Sequence, residues 1–458
     1  MTDSDLTEEK DLLADNASTG FELEDALTLE TDAEIEESLK GLHPADFSDQ
    51  LEELTSEQRN DLVNRAPELI SGDVLAELED EVVEDILPLL TSTQIADAIT
   101  SLDNDDATQI VEEMDKRQRE IIFDALEPID RAALEASLAF DDETIGRLMQ
   151  REFVAAPTFW TVGDTIDHMR TTGEALPELF FNIYIVDTGF KPMGYVPVSK
   201  LMRFERNVSL ESVMDELVVT IAQDLDQEEA AYLFEKYNLI SAPVIDNDGR
   251  LVGMMTVDDI IEIIQDENKE DILALAGVSD AGLTDTAYST VKSRAPWLLI
   301  NLFTAVLASL VLAQFDYAIT QIVALAVLMP IVASMGGNAG TQALAVAVRA
   351  LTEKDLTSRT AWRAIRREAL AALMIGIIFA TVLAVIAFVW FRSPELAFVA
   401  FVAMIVNHIF AGVAGVSIPL LLKHYGADPA VASSVFVTTV TDIVGFFAFL
   451  GFASLMLL

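Results

Sequence analysis

The last thirty residues, 429-PAVASSVFVTTVTDIVGFFAFLGFASLMLL-458, decide the fold class of this chain, and Asp442 is their only charged residue. A run of this length and polarity predicts a membrane-spanning helix, because about 20 apolar residues cross the hydrocarbon core of a bilayer. A carboxylate at the middle of such a helix costs roughly 2.5–3.5 kcal/mol to insert. We therefore expect Asp442 to face a water-filled cavity, a bound cation or a neighbouring helix. In the last case it would be a carboxyl group that hydrogen-bonds to that helix.

Charge divides the 458 residues into two halves. Residues 1–294 contain 20 Lys and Arg against 69 Asp and Glu, whereas residues 295–458 contain 8 against 7. Such acidity excludes nucleic acid as a partner, since phosphate binding needs a basic face; it suits cations or a salt-rich habitat. The absence of Cys excludes disulfides and thiolate metal sites. No secretory signal pattern precedes the acidic half, which is expected to stay in the cytoplasm.

The acidic half begins with two predicted regions. Residues 1–35 are polar and acidic and are predicted to be a disordered tail. Residues 36–148 repeat short segments such as SEQRNDLVNRA (56–66), with apolar side chains at i, i+3, i+4 and i+7 and Ser, Asp or Pro as start signals. Short amphipathic helices in series bury their apolar faces only by stacking, so we expect an α-superhelix with an acidic outer surface.

A twofold repeat follows. IYIVDTGFKPMGYVPVSKL (183–201) aligns without gaps to APVIDNDGRLVGMMTVDDI (242–260), at an offset of 59 residues. Each copy predicts a strand, a turn with Asp and Gly, a second strand and the start of a helix. This repeat, at 149–206 and 207–272, resembles a tandem CBS pair, an α/β regulatory module.

The two copies differ in their motif. The pattern D-x-x-G-x-x-x-G-x-x-[ST]-x-x-D is kept in the second copy, from Asp246 to Asp259, whereas residues 197–199 of the first copy depart from it. CBS pairs often bind adenosine nucleotides. The resemblance therefore makes an adenine nucleotide a candidate ligand, with one intact site at most.

The second copy continues into an acidic helix, DDIIEIIQDENKEDI (258–272). Carboxylates at i, i+3 and i+4 repel one another, and divalent cations would screen that repulsion. An ordinary solvated acidic helix explains the same pattern. Residues 273–294 are expected to form a connecting segment, helical at least in its second part, that leads into the membrane region.

Five membrane spans are predicted, at about 296–314, 319–347, 368–391, 396–422 and 430–457. The loop after the second span is rich in basic residues, whereas the segment around 391–395 has one basic residue, Arg392. The positive-inside rule then places the N-terminus in the cytoplasm and the C-terminus outside the cell membrane.

The spans contain polar and glycine residues at membrane depth, which are Gly336, Gly337, Asn338, Gln342, Asn407, Thr438, Thr441 and Asp442. Irregular backbone and polar side chains are tolerated there when they are covered by protein or line a wet cavity, although glycines also allow close helix approach. Taken together they predict an ion path. One carboxylate with neutral oxygens suits a hard cation such as Mg²⁺, and a symmetric dimer would present two carboxylates.

Other chemistries lack the residues they need. The four His form no pair at metal-ligand spacing, which disfavours zinc or nickel transport. H-E-x-x-H, P-loop and G-x-S-x-G motifs are missing, so we expect no enzyme.

The order of domains, an acidic helical superhelix, two CBS repeats, an acidic connector and five spans, resembles the MgtE family of magnesium channels. The most specific matches are P-x₅-G-G-N-x-G-x-Q (330–342) and Thr441-Asp442.

The resemblance implies a homodimer in the lipid bilayer in which Asp442 of each subunit holds hydrated Mg²⁺ and the Thr438 region supplies further oxygens. It also implies that cytosolic Mg²⁺ closes the pore by binding to acids of the soluble half. The matching residues are Asp226, Glu228, Asp259, Glu262, Glu267, Glu270 and Asp271, with Asp103, Asp105 and Asp106 as counterparts in the helical region. Asn238 stands where family members can carry an acid. Two rivals are a CBS-regulated carrier of another divalent cation or an osmolyte, and a membrane-anchored nucleotide sensor.

Overall fold

The computed structural model describes residues 23–29, 31–114, 116–173, 176–177, 179–278, 287–352, 354, 356, 359–430 and 433–458. The chain forms two compact units, Met1–Ile264 and Gln265–Leu458. The predicted fold class is confirmed: a helical region, a CBS pair and, in the part of the chain that the structure describes, five helices long and apolar enough to cross a membrane.

The first unit opens with short helices in series. Their bounds are Leu23–Ala26, Asp32–Leu39, Pro44–Glu53, Ser56–Arg65, Gly72–Ala76, Asp80–Ile86, Ser92–Ser101, Asn104–Glu113, Lys116–Ala125 and Pro128–Ser137, with 3₁₀ turns at Pro67–Leu69 and Leu87–Leu89. Thr55 and Thr91 begin two of them with capping boxes, in which Gln58 and Gln94 return the hydrogen bond. One apolar core runs through all of these helices, from Leu23 to Leu134.

An arginine at the fourth position of a helix joins successive repeats. Arg59, Arg119 and Arg131 each donate to carbonyl oxygens at the end of the preceding helix: Arg59 to Leu51 at 3.2 Å, Arg119 to Val111 at 3.1 Å and Arg131 to Phe123 at 3.4 Å. The last carbonyls of a helix have no partner within it. The guanidinium satisfies them and fixes the angle between neighbouring helices.

The predicted disordered tail is wrong for its described part. Leu23, Ala26 and Ile35 are buried in the core, and the Leu23 N–H donates to Gln50 Oε1 at 3.0 Å. The acidic composition of this segment indicated disorder, but its short apolar stripe packs on the next helices. Residues 1–22 and residue 30 lie outside the described residues.

Seven strands lie in the described residues of the CBS pair. They are β1 (Ala155–Pro157), β2 (Asn182–Val186), β3 (Pro192–Pro197), β4 (Asp215–Glu216), β5 (Ile221–Ala222), β6 (Ser241–Ile245) and β7 (Leu251–Thr256). Its helices are Ile145–Leu148, Val162–Thr172, Val198–Leu201, Leu210–Val213, Gln227–Tyr237 and Val257–Leu275. The sheet orders are β1-β2-β3-β4 and β5-β6-β7; β1 and β2 are parallel, as are β5 and β6, and the hairpins β2-β3 and β6-β7 are antiparallel.

The two repeats meet at equivalent positions. Asn182 and Ser241 stand 59 residues apart, at the alignment offset, and Asn182 Nδ2 donates to Ser241 Oγ at 2.9 Å. The turns also match, because Asp187 Oδ1 accepts from the Lys191 N–H at 2.9 Å and Asp246 Oδ1 from the Arg250 N–H at 2.8 Å. The repeat read from the sequence is therefore structural.

The second unit contains the five spans, at Thr290–Ala313, Val323–Thr352, Ala361–Phe391, Pro394–His424 and Ser434–Leu457, hereafter the first to fifth spans. A short helix, Asp316–Gln321, joins the first two. The second span is one continuous α-helix through Pro330 and the glycine cluster. Its glycines serve close packing, since a Cβ at Gly340 would lie 2.5 Å from Val437 Cγ1 of the fifth span.

Of the connector expected at 273–294, the structure describes residues 273–278 and 287–294, and the second of these parts is helical, as expected. The helix Val257–Leu275 includes its first residues and is followed by Gly277, whose φ of 75° ends helical geometry. A second helix begins at Ala287 and runs without a break into the first span. Residues 279–286 between them lie outside the described residues.

Candidate ion path and acidic sites

Asp442 and Thr438 lie one turn apart on a partly exposed face of the fifth span. The Thr438 hydroxyl donates to the carbonyl oxygens of Ser434 at 2.9 Å and Val435 at 3.0 Å. Its hydrogen is thereby used within the helix, and its oxygen is left as an acceptor. Within the described residues, the Asp442 carboxylate has neither a hydrogen bond nor an ion pair. The face thus offers oxygen acceptors at membrane depth.

The second span supplies a polar face beside them. Asn338 and Gln342 are exposed and share one side of the helix. A Cβ at the neighbouring Gly337 would lie 3.9 Å from both Thr438 Cγ2 and Thr441 Oγ1. The amide side of the second span therefore borders the Thr438 side of the fifth.

Asn407 and Thr441 do not line this face, contrary to the expectation from sequence. Both are fully buried. Asn407 Nδ2 donates to the Val332 carbonyl at 2.8 Å, and Thr441 Oγ1 donates to the Thr438 carbonyl at 2.9 Å. A Cβ at Gly336 would lie 2.0 Å from Asn407 Nδ2. Asn407 and Gly336 thus join helices inside the bundle, because a buried amide needs an internal partner.

An acidic cluster in the first unit joins the start of the helix Asn104–Glu113 to the helix Val257–Leu275. Asp105 Oδ1 is buried without a hydrogen-bond partner in the described chain. Desolvation and then the charge of Asp259 raise the pKa of Asp105 well above its usual range. Desolvation, Asp259 and Glu262 raise the pKa of Asp106 to about 7. Asp103 adds its charge to both.

Asp259 itself is held in place by neutral donors. Its Oδ2 accepts from the Thr256 hydroxyl at 2.7 Å and the Thr256 N–H at 3.2 Å. Burial still raises its pKa to about 6. Among the described residues no three acids or His are close enough to ligate a metal directly. The cluster therefore suits a hydrated cation that bridges carboxylates through water.

A second acidic pair lies in the second unit. Burial, and then the charge of Asp428, raise the pKa of Asp271. The Thr352 hydroxyl, at the end of the second span, donates to Asp271 Oδ2 at 3.3 Å. The adjoining Ala274 packs with Leu344 of the second span and other apolar residues. Asp428, which sequence reasoning missed, follows the fourth span and carried no local signal. Glu267 is half-buried and Glu270 exposed on the same helix.

Asp226 and Glu228 lie at the start of the helix Gln227–Tyr237. Asp226 Oδ1 accepts from the Glu228 N–H at 2.9 Å, so Asp226 is the N-cap of this helix. Asn238 ends the same helix with φ 51° and ψ 51°, a left-handed conformation that Asn tolerates. Capping accounts for Asp226 and Asn238 locally, and the metal-binding role of Asp226 and Glu228 stays a prediction.

The CBS pair contains a cavity of about 350 Å³. Tyr184, Tyr195 and Tyr237 line it together with Asn238 and Ser241. Tyr184 Oη donates to Ser241 Oγ at 2.9 Å. Aromatic faces beside amide and hydroxyl groups suit a planar heterocycle, and the volume is in the range of small-molecule sites.

These features define a class: a multi-pass membrane transporter of cations with a soluble acidic unit that includes a CBS pair. Family models match three regions, MgtE intracellular N domain at 42–143, CBS domain at 210–266 and MgtE, divalent cation transporter, at 329–452. The chain is 30% identical to the magnesium transporter MgtE of Bacillus subtilis over 83% of its length and 85% of that protein. It is also 30% identical to the magnesium transporter MgtE of Thermus thermophilus, over 95% of its own length and 98% of that protein. The chain belongs to the MgtE family.

A solved structure resembles the soluble unit. The crystal structure of the cytosolic domain of the Mg²⁺ channel MgtE in complex with ATP has 28% sequence identity and a TM-score of 0.50. The match covers 53% of this chain and 98% of that one. It supports the helical region and the CBS pair as one soluble module of the family.

Proposed function

We propose that this chain mediates Mg²⁺ uptake across the cytoplasmic membrane as a channel or transporter, and that cytosolic Mg²⁺ closes it. The observation that carries the proposal is the partly exposed face of Asp442 and Thr438, whose side-chain oxygens accept no hydrogen bond from the described residues. The names of the full-length relatives, magnesium transporters, support the choice of ion.

Mg²⁺ gives up its water reluctantly, so the protein groups contact it through the hydration shell. The Thr438 oxygen and the Asp442 carboxylate accept hydrogen bonds from those waters, and the carboxylate adds the charge that a cation needs in a low-dielectric region. One carboxylate leaves half of a divalent charge uncompensated. A second copy of the chain, related by a twofold axis along the path, supplies a second carboxylate.

The partner in this proposal is therefore another copy of the same chain, which meets the exposed faces of the second and fifth spans. Basic residues after the second span favour a cytoplasmic N-terminus and an outside C-terminus. The acidic unit then samples cytosolic Mg²⁺. This arrangement lets the transported ion report its own concentration on the inner side.

Closure follows from like-charge repulsion in the acidic sites. Asp105 and Asp106 stand beside Asp259 with raised pKa values, and Asp271 stands beside Asp428. A bridging Mg²⁺ removes the repulsion and favours the compact arrangement of each site. Several weak sites that favour one state together give a steep response.

The CBS cavity is proposed to bind an adenine nucleotide. The related cytosolic domain was crystallised with ATP, and the exposed Tyr237 ring, which lines this cavity, is the candidate stacking surface. The nucleotide would act as a second regulator of the same unit. Nucleotide binding to this cavity and ion conduction through the spans are separate activities of the chain in this proposal.

Mg²⁺ flux into liposomes tests the main proposal. Asp442→Asn should reduce uptake by at least about 100-fold while protein insertion is unchanged, since the pore loses its charge. Glu395→Gln, at the exposed start of the fourth span, is the matched control and should transport normally. Unchanged uptake in Asp442→Asn would refute the assignment. Preferential flux of Ca²⁺ or Co²⁺ would instead favour the carrier of another divalent cation.

A further inference from the structure

The start of the third span carries an exposed basic face made of Arg363, Arg366 and Arg367, with Trp362 beside it. All four side chains are exposed, and Trp362 is 71% exposed. At 3.6 residues per turn, the three arginines lie within an arc of about 100° on one side of the helix. The residues of this basic face are not among those of the ion path or the acidic sites.

The basic face continues the lipid-facing side of the same helix. Leu370, Met374 and Ile377 follow it along that side and are exposed. The opposite side, with Ala372 and Gly376, is buried, and a Cβ at Gly376 would lie 3.0 Å from His408 Cβ of the fourth span. The arginines therefore point outward from the bundle, as the lipid-exposed side chains do.

Their depth along the helix matches the headgroups. Residues 369–391 carry no charged side chain, and at about 1.5 Å per residue they span about 34 Å. The hydrocarbon core of a bilayer is about 30 Å thick. Arg366 and Arg367 then lie at the level of the lipid phosphates, where an exposed Trp is also favoured.

Within the described chain, the three arginines have no carboxylate in ion-pair distance; the described ion pairs involve other residues. Glu368 is adjacent in sequence but lies on the other side of the helix. Residues 349–367 carry six Lys and Arg against two Asp and Glu, in a chain of net charge −48. Since no described carboxylate pairs with this positive face, its natural partner is an anion from outside the protein.

We propose that Arg363, Arg366 and Arg367 bind the phosphate group of an anionic phospholipid in the leaflet that holds the start of the third span. Guanidinium groups bind phosphate oxygens in pairs, which gives geometry as well as charge. The acyl chains of that lipid lie along Leu370 and Met374. This continuity with an apolar surface selects a lipid phosphate over free phosphate, which would gain nothing from it. The bound lipid fixes the depth of the third span.

The test uses the full-length protein in nanodiscs of mixed phosphatidylglycerol and phosphatidylcholine, with retained lipids counted by native mass spectrometry. The wild type should retain phosphatidylglycerol in excess of its share of the bilayer. The triple variant Arg363→Gln, Arg366→Gln, Arg367→Gln should weaken that preference on the order of 100-fold. The matched control, Lys191→Gln, Arg203→Gln, Arg250→Gln, removes three exposed charges from the CBS pair and should retain the wild-type preference.

Because the arginines also favour insertion in one orientation, an Arg→Lys triple variant keeps the charge and should retain part of the preference. Added inorganic phosphate should not displace the lipid. The proposal is overturned if the wild type shows no preference, if the Gln and control triples behave alike, or if phosphate displaces the lipid. It is also overturned if the Gln triple keeps its lipid preference but alters protease protection of the acidic unit, since the arginines would then serve that unit.

Discussion

Asn407 Nδ2 donates a hydrogen bond of 2.8 Å to the carbonyl oxygen of Val332, and this contact joins the fourth span to the second. The amide fits a notch between two glycines, since a Cβ would lie 2.0 Å from it at Gly336 and 2.8 Å from it at Gly445. A polar group inside a membrane bundle is retained when its partner is another helix. The contact sets the position of the second span, and with it that of Asn338.

Gly336→Ala should destabilise the membrane unit, because the new methyl group overlaps Asn407 and either the amide or the helix must move. We expect a loss of about 1–3 kcal/mol in the free energy of unfolding, measured by thermal unfolding in detergent, together with reduced Mg²⁺ uptake. Gly451→Ala is the matched control, since a Cβ there meets nothing within 4 Å. Equal melting temperatures for the two variants would contradict the packing role of the notch.

The acidic cluster of Asp105, Asp106 and Asp259 predicts a pH dependence of stability. Their pKa values are raised in the folded protein, to about 7 for Asp106 and about 6 for Asp259. A folded state with raised acid pKa values binds more protons than the unfolded state, so stability falls as pH rises from about 4 towards 7 and above. In Mg²⁺-free buffer the melting temperature of the soluble unit should fall over this window, and Mg²⁺ should restore it at neutral pH.

Asp106→Asn should remove part of that dependence. At pH 8 without Mg²⁺ it should stabilise the protein by up to about 4 kcal/mol, which is the size of its pKa shift. Asp97→Asn, at an exposed position in a neighbouring helix, is the control and should change little. A lower melting temperature for Asp106→Asn under these conditions would show that the carboxylate is stabilising and that the repulsion argument fails.

The acids at the end of the helix Val257–Leu275 predict the Mg²⁺ dependence of closure. Neutralising Glu267, Glu270 and Asp271 together removes the charges that Mg²⁺ would bridge, so the midpoint of inhibition by Mg²⁺ on the cytoplasmic side should rise at least about 10-fold. Patch recording or flux with controlled internal Mg²⁺ measures it. A triple variant at exposed acids elsewhere, Asp97→Asn, Glu120→Gln and Glu211→Gln, should keep the normal midpoint. Closure of both variants at the same Mg²⁺ concentration would remove these acids from the sensor.

A bulky side chain introduced into the CBS cavity should compete with a bound nucleotide. Ser199 lines the cavity and is exposed, so Ser199→Trp fills part of its volume without disturbing the core. Calorimetric titration with ATP should show binding at least about 10-fold weaker than in the wild type. Ser212→Trp, outside the cavity lining, should bind as the wild type does. Equal ATP affinity for all three proteins would place the nucleotide elsewhere.

The proposed dimer predicts a cross-link through the second span. The chain contains no Cys, so a single Asn338→Cys provides a clean reporter of the exposed polar face. A short bifunctional maleimide should convert most of this variant to a covalent dimer in membranes. Ile378→Cys, on the exposed face of the third span, should remain monomeric on gels. Efficient cross-linking of Ile378→Cys instead would assign the interface to another face.

The amino-acid sequence by itself determined the features that depend on neighbouring residues. Apolar runs set the five spans because the bilayer thickness fixes their length. The i, i+3, i+4 spacing set the short helices, and an offset of 59 residues set the CBS repeat. Asp442 could be singled out without coordinates, since one charge in thirty apolar residues is costly wherever the helix packs.

Tertiary structure decided which polar groups are buried and what they meet. Asn338 and Asn407 look alike in sequence, yet one is exposed and the other is fixed to Val332. Asp106 comes beside Asp259, and Asp271 beside Asp428, across more than 150 residues of chain in each case. Burial and charge coupling depend on segments that are remote in sequence, so a local sequence pattern does not predict them. The packing of Leu23, which lies in an acidic segment, could not be predicted for the same reason, because its contacts come from other helices.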